Sequence, residues 1–443
     1  METSRLDQPA LEIQAFLDER RFSAYQWLVF ALCFAIVLLD GFDTAAIGYL
    51  APSLLAEWGL SKPQLGPVLS AALVGLTCGS LCAGPLADRL GRRRPLVAAV
   101  LVFALASFGA AQAADLTQLT LWRFLTGIGL GAAMPNAVTL MSEYCPAPRR
   151  ATLTNLMFCG FPLGAALGGF IAAWMIPHWG WRSVLLAGAV APLLLAGALL
   201  LWLPESVRFM VARAWPAARI RKVLGRIGEV GAERFVLAEG RAGAEAGAGL
   251  GLVLSRPFRF GTAMLWLAYF MGLVIFYSMV NWMPVLFKEA GLAPREATLV
   301  AALFPLGGVG AVAFGWLMDR YNGDRIIAIG FALTGFAIFA IGHVVGSLGL
   351  LVTVVLVAGT LMNTAQSSLP ALAAGFYPTA GRATGVAWML GIGRLGGIGG
   401  SFLVAQLSAM QLGFAAILGM LAVPGLLAAG LLLAKSLRRP AQA

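Results

Sequence analysis

Charge is scarce in this sequence: Asp, Glu, Lys and Arg make up 12% of its 443 residues, where a soluble domain carries about 25%. With 60% hydrophobic residues and a mean hydropathy of +0.84, that deficit excludes an ordinary water-soluble fold. Histidine is scarcer still, at two residues, and no His/Cys set has the spacing of a metal site. The five cysteines (Cys33, Cys78, Cys82, Cys145 and Cys159) fall within or at the ends of apolar runs. Cys78 and Cys82 share a helix face, but nothing completes a ligand set, and all five read as small apolar residues. No P-loop pattern is found, so direct ATP drive is not expected, and no metal or cofactor is implied. No nucleophile–base set is visible, which makes an enzyme the weakest functional class. The first 25 residues carry Asp7, Glu12, Asp18, Glu19, Arg20 and Arg21 without the apolar core of a signal peptide. They are expected to form a cytoplasmic tail, 1–25.

Long apolar stretches are abundant instead. A membrane span needs about 20 mostly apolar residues, because about 30 Å of hydrocarbon is crossed in steps of about 1.5 Å. Runs of that kind recur at 26–50, 65–87, 95–113, 118–141, 152–176, 182–203, 258–286, 297–318, 326–345, 348–374, 383–407 and 412–434. The 54 glycines fit the same environment, since glycine lets membrane helices approach closely. The expected fold is an all-α membrane protein of twelve transmembrane helices.

The net charge of +11 and isoelectric point of about 10.0 would suggest a nucleic-acid partner in a soluble protein. Here the distribution gives a topological reason and no nucleic acid is expected. With the N-terminus inside, 25 of the 31 Lys and Arg residues fall in cytoplasmic segments. Four (Lys62, Arg182, Lys288, Arg295) fall on the opposite side, and Arg123 and Arg394 lie inside spans. Without the long central loop, where the positive-inside rule weakens, the split is still 15 to 4. Both termini, including a short tail at 435–443, are expected in the cytoplasm.

The two halves repeat. Gly84-Pro85-Leu86-Ala87-Asp88-Arg89 is answered by Gly315-Trp316-Leu317-Met318-Asp319-Arg320, 231 residues on. Arg150-Ala151-Thr152 is answered by Arg382-Ala383-Thr384, and Pro146, Gly164 and Gly168 by Pro378, Gly396 and Gly400, all at 232. A shared offset across several weak matches points to pseudo-symmetric six-helix halves, 26–203 and 258–434, joined by a basic Ala/Gly-rich linker, 204–257. Parallel repeats of this kind hold substrate near mid-membrane at their interface.

The chain resembles the major facilitator superfamily over essentially its whole length. The resemblance is carried by GPLADRLGRRR (Gly84 to Arg94), its weaker echo GWLMDRYNGDR, and PESVRFM (Pro204 to Met210). More narrowly it is similar to the aromatic acid:proton symporter family, through DGFD (Asp40 to Asp43), RFLTGIGLGAAMPN (Arg123 to Asn136), SEYCPAPRR (Ser142 to Arg150) and GIGRLGG (Gly391 to Gly397). The resemblance implies the major facilitator fold and an aromatic acid as substrate.

An ionisable group at a helix centre costs at least about 2.5–3.5 kcal/mol, so Asp40, Asp43, Arg123 and Arg394 stand out. Asp40 and Asp43 share one helix face, about 5–6 Å apart at Cβ. Two carboxylates that close in a low dielectric resist being ionised together, which makes one a candidate proton carrier. The alternatives are that Asp43 only neutralises Arg123, or that the pair touches substrate. Arg394 keeps its proton, so a carboxylate, carbonyls or a bound anion must answer its charge. It either binds the substrate carboxylate or sits in a permanent ion pair. The repeat sets it opposite Pro162, so it belongs to the second half alone. For Arg123 the resemblance implies a role in proton coupling; outer-end anchoring is the plainer alternative.

Asp88 and Arg92 lie in a loop where charge needs no special reason. The resemblance implies a gate, with Glu143, Arg150, Asp319 and Arg382 at the same interface. Candidate substrate contacts are Asn363 and Gln366 in a run that also holds Thr364, Ser367 and Ser368, and Tyr277, Asn281, Trp282 and Trp388. An aromatic substrate can stack on such rings, although most membrane aromatics pack or sit at the interface. His343 reads as a solvated cap.

The expected function is secondary transport of an organic anion with protons, and the resemblance narrows this to import of a small, hydroxybenzoate-like aromatic carboxylate. The alternatives are a proton-driven exporter, a carrier of another organic anion or drug, or a transporter-like receptor that does not translocate. The expected partners are the substrate, protons and the lipid of a bacterial inner membrane, with the monomer as the working unit.

Overall fold

The computed structural model describes residues 11–232, 234–237, 249–310 and 320–438. Helix α1, Ala24–Trp58, starts where Ser23 and Gln26 form a capping box and stops where Gly59 turns left-handed at a φ of 61°. Its 35 residues reach about 52 Å, so it runs well past the expected end at residue 50. Helix α2, Lys62–Leu90, opens on a second capping box, Ser61 with Gln64. Then follow α3, Arg93–Ala111, and α4, Leu116–Tyr144. Helix α5 is broken at Cys159 into Arg150–Phe158 and Gly160–Trp179, and α6 is Trp181–Trp202.

The second half holds α7, Arg259–Glu289; α8, Pro294–Leu306, passing into a 3-10 turn at Gly307–Gly310; α9, Gly323–Ile341; α10, Leu348–Phe376; α11, Thr379–Ala409; and α12, Phe414–Leu437. The rest of the expected eighth span, to residue 318, lies outside the described residues. Among the described residues, eleven helices are long and apolar enough to cross a bilayer.

Packing repeats with a shift of six helices. α1 packs on α5 as α7 packs on α11, α2 on α4 as α8 on α10, and α3 on α6 as α9 on α12. The sequence offset has a steric cause in the first of these pairs. A methyl group at Gly164 would overlap the Leu38 carbonyl of α1, and one at Gly396 would overlap the Phe270 carbonyl of α7. The halves meet through α1 with α7, α2 with α11 and α5 with α8. Helices α3, α6, α9 and α12 lie outermost and show apolar side chains such as Leu105, Leu194, Phe336 and Leu427, as a lipid-facing surface requires.

The N-terminal tail and the linker fold against one another. A short helix, Ile13–Asp18, buries Ile13, Phe16 and Leu17. Leu11–Glu12 pairs in parallel with Phe235–Val236 of the linker, and the linker also forms short helices at Val207–Ala212, Ala217–Leu224 and Gly249–Val253. This layer covers the end of the bundle where α1 starts and α12 ends, called here the termini face.

If the two glycines do equivalent work, Gly164→Val and Gly396→Val should each lower stability by about 1–3 kcal/mol through overpacking. Unfolding of each variant in detergent checks this; a cost at only one of them would break the equivalence.

Candidate functional site

Three of the four charges expected inside the membrane are almost wholly buried. Asp43 on α1 and Arg123 on α4 are 1% and 0% exposed. Arg123 Nη1 donates to both carboxylate oxygens of Asp43, at 2.8 and 2.7 Å, and Nη2 donates to the Asp43 carbonyl at 3.1 Å. The pair is bidentate and dry. Asp40, one turn earlier and 1% exposed, is differently placed. Its Oδ1 accepts a 3.3 Å hydrogen bond from Thr44, and its Oδ2 has no partner. The expected acidic pair therefore divides into one carboxylate fixed by a cation and one with a free acceptor. Gly41 between them lets α5 approach, since a methyl group there would overlap the Phe161 carbonyl.

Arg394 projects from α11 toward the first half. Its Nη1 donates to Ser80 Oγ on α2, and the Ser80 hydroxyl donates onward to the Thr77 carbonyl at 2.9 Å. Among the described residues no carboxylate lies within 4.0 Å of Arg394. Its charge reaches Asp40, Tyr269 and Tyr277. Gln366 on α10 donates from Nε2 to the Tyr269 carbonyl at 3.3 Å, while its buried Oε1 has no partner. The Tyr277 ring meets Phe276 edge-on at 5.2 Å, and Phe276 lies 6.1 Å from Phe161 of the first half. Asp40, Tyr269, Tyr277, Gln366 and Arg394 thus gather where the halves meet.

The remaining candidates lie elsewhere. Asn363 donates to the Phe304 and Gly359 carbonyls at 3.0 and 2.8 Å, tying α10 to α8. Asn281 donates to Ser401 Oγ at 2.9 Å, and the fully buried Trp282 donates to the Ser401 carbonyl at 3.0 Å, tying α7 to α11. Trp388 is 47% exposed and stacks on Trp266 with centroids 6.0 Å apart. Sequence reasoning missed Ser80, Thr44 and Tyr269. Tyr269 was findable, since it precedes Tyr277 by eight residues and so shares its helix face. Nothing in the sequence marks Ser80.

At the termini face, the first-half gate candidates engage their own half and the N-terminal tail. Arg92 pairs with Asp88 at 3.0 Å and approaches Glu143 at 3.9 Å. Glu143 also accepts a short hydrogen bond from Ser206, and Arg150 donates to Gln14 at 2.7 Å. Arg382 is exposed, and Asp319 lies outside the described residues. On the opposite face the halves are joined: Lys62 at the start of α2 pairs with Glu289 at the end of α7 at 2.7 Å. Gly66 there faces Phe402, and Gly169 faces Ala302. These cross-half contacts lie on the face away from the termini, while Arg394–Ser80 joins the halves nearer mid-helix.

The family model for the Major Facilitator Superfamily matches residues 33–401. The chain belongs to that superfamily. It is therefore a multi-pass membrane transporter and not an enzyme. The chain is 50% identical over 413 residues to the 4-hydroxybenzoate transporter PcaK of Pseudomonas putida, covering 92% of each chain. It is 48% identical over 406 residues to a gallate transporter of Pseudomonas putida, covering 91% of this chain and 90% of the relative. Among solved structures, the crystal structure of D-xylose-proton symporter superposes with a TM-score of 0.71 at 20% identity, covering 92% of this chain and 97% of the other. An inward-open xylose transporter from E. coli gives 0.69 at 20% identity, covering 91% and 94%. At that identity the structures speak to the fold alone, and they agree with two six-helix halves.

The geometry separates the two acidic residues by stability. Asp43→Asn strands the Arg123 charge in a dry site and should cost about 3–5 kcal/mol, whereas Asp40→Asn breaks no ion pair and should stay near the parent. Equal unfolding midpoints for the two variants would contradict this division.

Proposed function

We propose that this chain imports a small aromatic carboxylate of the hydroxybenzoate type together with protons, by alternating access across a bacterial inner membrane, with both termini in the cytoplasm. The observation that carries the reading is Arg394, a permanent cation at the interface of the halves, held only by a neutral hydroxyl among the described residues. A guanidinium there matches a carboxylate in a bidentate fork. Desolvation makes an anion the natural answer to its charge. Relatives named for 4-hydroxybenzoate and gallate, both hydroxylated benzoates, support the same chemistry.

In this reading substrate carboxylate takes the Arg394 fork in place of Ser80. Tyr269 and Tyr277 flank the ring, and the unpaired Oε1 of Gln366 accepts a ring hydroxyl. Asn363, Asn281 and Trp282 hold the helices around the site, and Trp388 stands with Trp266 nearer the termini face. Asp40 carries the proton on its unpartnered oxygen. Protonation removes an anion that otherwise competes with substrate for the Arg394 field, so proton and substrate bind cooperatively. Asp43 and Arg123 complete the coupling unit by fixing α1 against α4. Opening of the outer side requires Lys62 and Glu289 to part. Closing of the cytoplasmic side brings Asp88, Arg92, Glu143 and Arg150 against Asp319 and Arg382.

Proteoliposome uptake of labelled 4-hydroxybenzoate tests the reading. An imposed inward proton gradient should drive accumulation; expulsion would make the chain an exporter, and binding without counterflow would make it a receptor. Arg394→Ala should weaken substrate binding about 10- to 100-fold while leaving the unfolding midpoint near the parent, and retained affinity would remove the carboxylate role. Because the proton is a co-substrate, parent uptake should rise as the outer pH falls. Asp40→Asn should exchange substrate with little pH dependence, and an unchanged pH profile would place the proton elsewhere.

A further inference from the structure

A second cluster of cations, far from Arg394, has no role in transport as derived above. Where the linker meets the termini face, Arg93, Arg219, Lys222 and Arg226 line one cavity of about 320 Å³. Arg93 comes from the start of α3, and the other three from the segment that begins with the helix Ala217–Leu224. That helix is amphipathic: Ile220 and Leu224 are buried, and Arg219 and Lys222 are exposed.

None of the four cations is in a salt bridge among the described residues. Among the described residues none of them has a carboxylate within 4.0 Å. Glu205 also lines the cavity, but its Oε1 accepts from the backbone N–H groups of Arg92, Arg93 and Ser206 at 2.7, 3.2 and 2.9 Å. Its charge caps α3 instead of pairing with the cations. Arg219 lies over the Trp215 ring, and Arg226 lies over the Tyr25 ring and donates to its hydroxyl at 3.1 Å. These contacts orient the guanidinium groups without neutralising them. Like charges gathered around one cavity repel each other unless an anion sits between them.

The cavity's position indicates how such an anion arrives. Its rim includes Leu201 and Trp202 at the end of α6, which are 73% and 52% exposed. Leu193, Leu194 and Leu200 continue the apolar strip along the same helix. Tryptophan and tyrosine at a helix end, beside cations and above an apolar strip, mark the headgroup level of a bilayer.

We infer that this cavity binds a phosphate-bearing anion between Arg93, Arg219, Lys222 and Arg226, with an anionic phospholipid headgroup as the source its location favours. The lipid's phosphate sits among the cations and its chains run down the α6 strip. Bound there, it bridges the linker to α3 and α6, and so ties the layer on the termini face to the first half.

The purified full chain in neutral detergent can be offered phosphatidylglycerol in competition with phosphatidylcholine, with retention read by native mass spectrometry. The parent should retain phosphatidylglycerol selectively, and Arg219→Gln/Lys222→Gln/Arg226→Gln should lose about fivefold in retention for each cation removed. Lys222→Gln alone, on an exposed side chain, should show one such step with an unaltered unfolding midpoint, and Arg219→Lys/Arg226→Lys should keep the selectivity. A parallel arm adds glycerol 3-phosphate or inorganic phosphate without lipid. A raised unfolding midpoint in the parent but not in the triple variant, without lipid selectivity, would support the phosphate site and assign it a soluble source. Equal lipid selectivity and equal response to phosphate in parent and triple variant would overturn the inference.

Discussion

A charge cannot stand alone in hydrocarbon, and the core of this transporter is arranged around that constraint. Arg123 satisfies it within the first half, by a bidentate pair with Asp43 from which water is excluded. Arg394 does not satisfy it within its own half. It reaches across the interface to Ser80, a neutral acceptor that leaves the positive charge in place. One arginine is therefore paired with a carboxylate, and the other meets only a hydroxyl among the described residues. The difference follows from what stands opposite each guanidinium, since the two side chains are chemically identical.

The same interface explains how occupancy can reach the gates. Ser80 lies on α2 and Arg394 on α11, and the far end of α2 carries Lys62, whose partner Glu289 ends α7. In the proposed binding mode, a carboxylate that draws Arg394 away from Ser80 acts on the helix pair that joins the halves. At the termini face, Arg92, Asp88 and Glu143 hold one another inside the first half. Alternating access requires a two-state interface whose two sides are joined in turn.

The tail and the linker add a layer that hydropathy does not reveal. Ile13, Phe16 and Leu17 are buried in one cluster with the first half and the linker, and Gln14 receives both Arg150 and Arg208, at 2.7 and 2.8 Å. The residue resembling part of a gate is thus bound to the N-terminal tail. Cations in this layer divide into those, like Arg150, held by the tail, and those around the Arg219 cavity that have no carboxylate within 4.0 Å among the described residues.

Much of the fold was legible from the chain alone. Apolar runs of spanning length, the Lys/Arg asymmetry and the offset of about 232 residues that aligns Gly164 with Gly396 follow from local composition, because burial in lipid and close helix packing are demanded residue by residue. The cost of buried charge likewise singled out Asp40, Asp43, Arg123 and Arg394 without any coordinates. Partnership was decided only in three dimensions. Asp43 and Arg123 are 80 positions apart, and Arg394 and Ser80 are 314 apart; a periodic pattern carries no information about which distant helix stands opposite. For the same reason the sequence could not show that Asn281, Trp282 and Asn363 each tie two helices together. The sequence determined which groups must be answered, because that cost is local; the tertiary structure decided what answers them, because an answer comes from another helix.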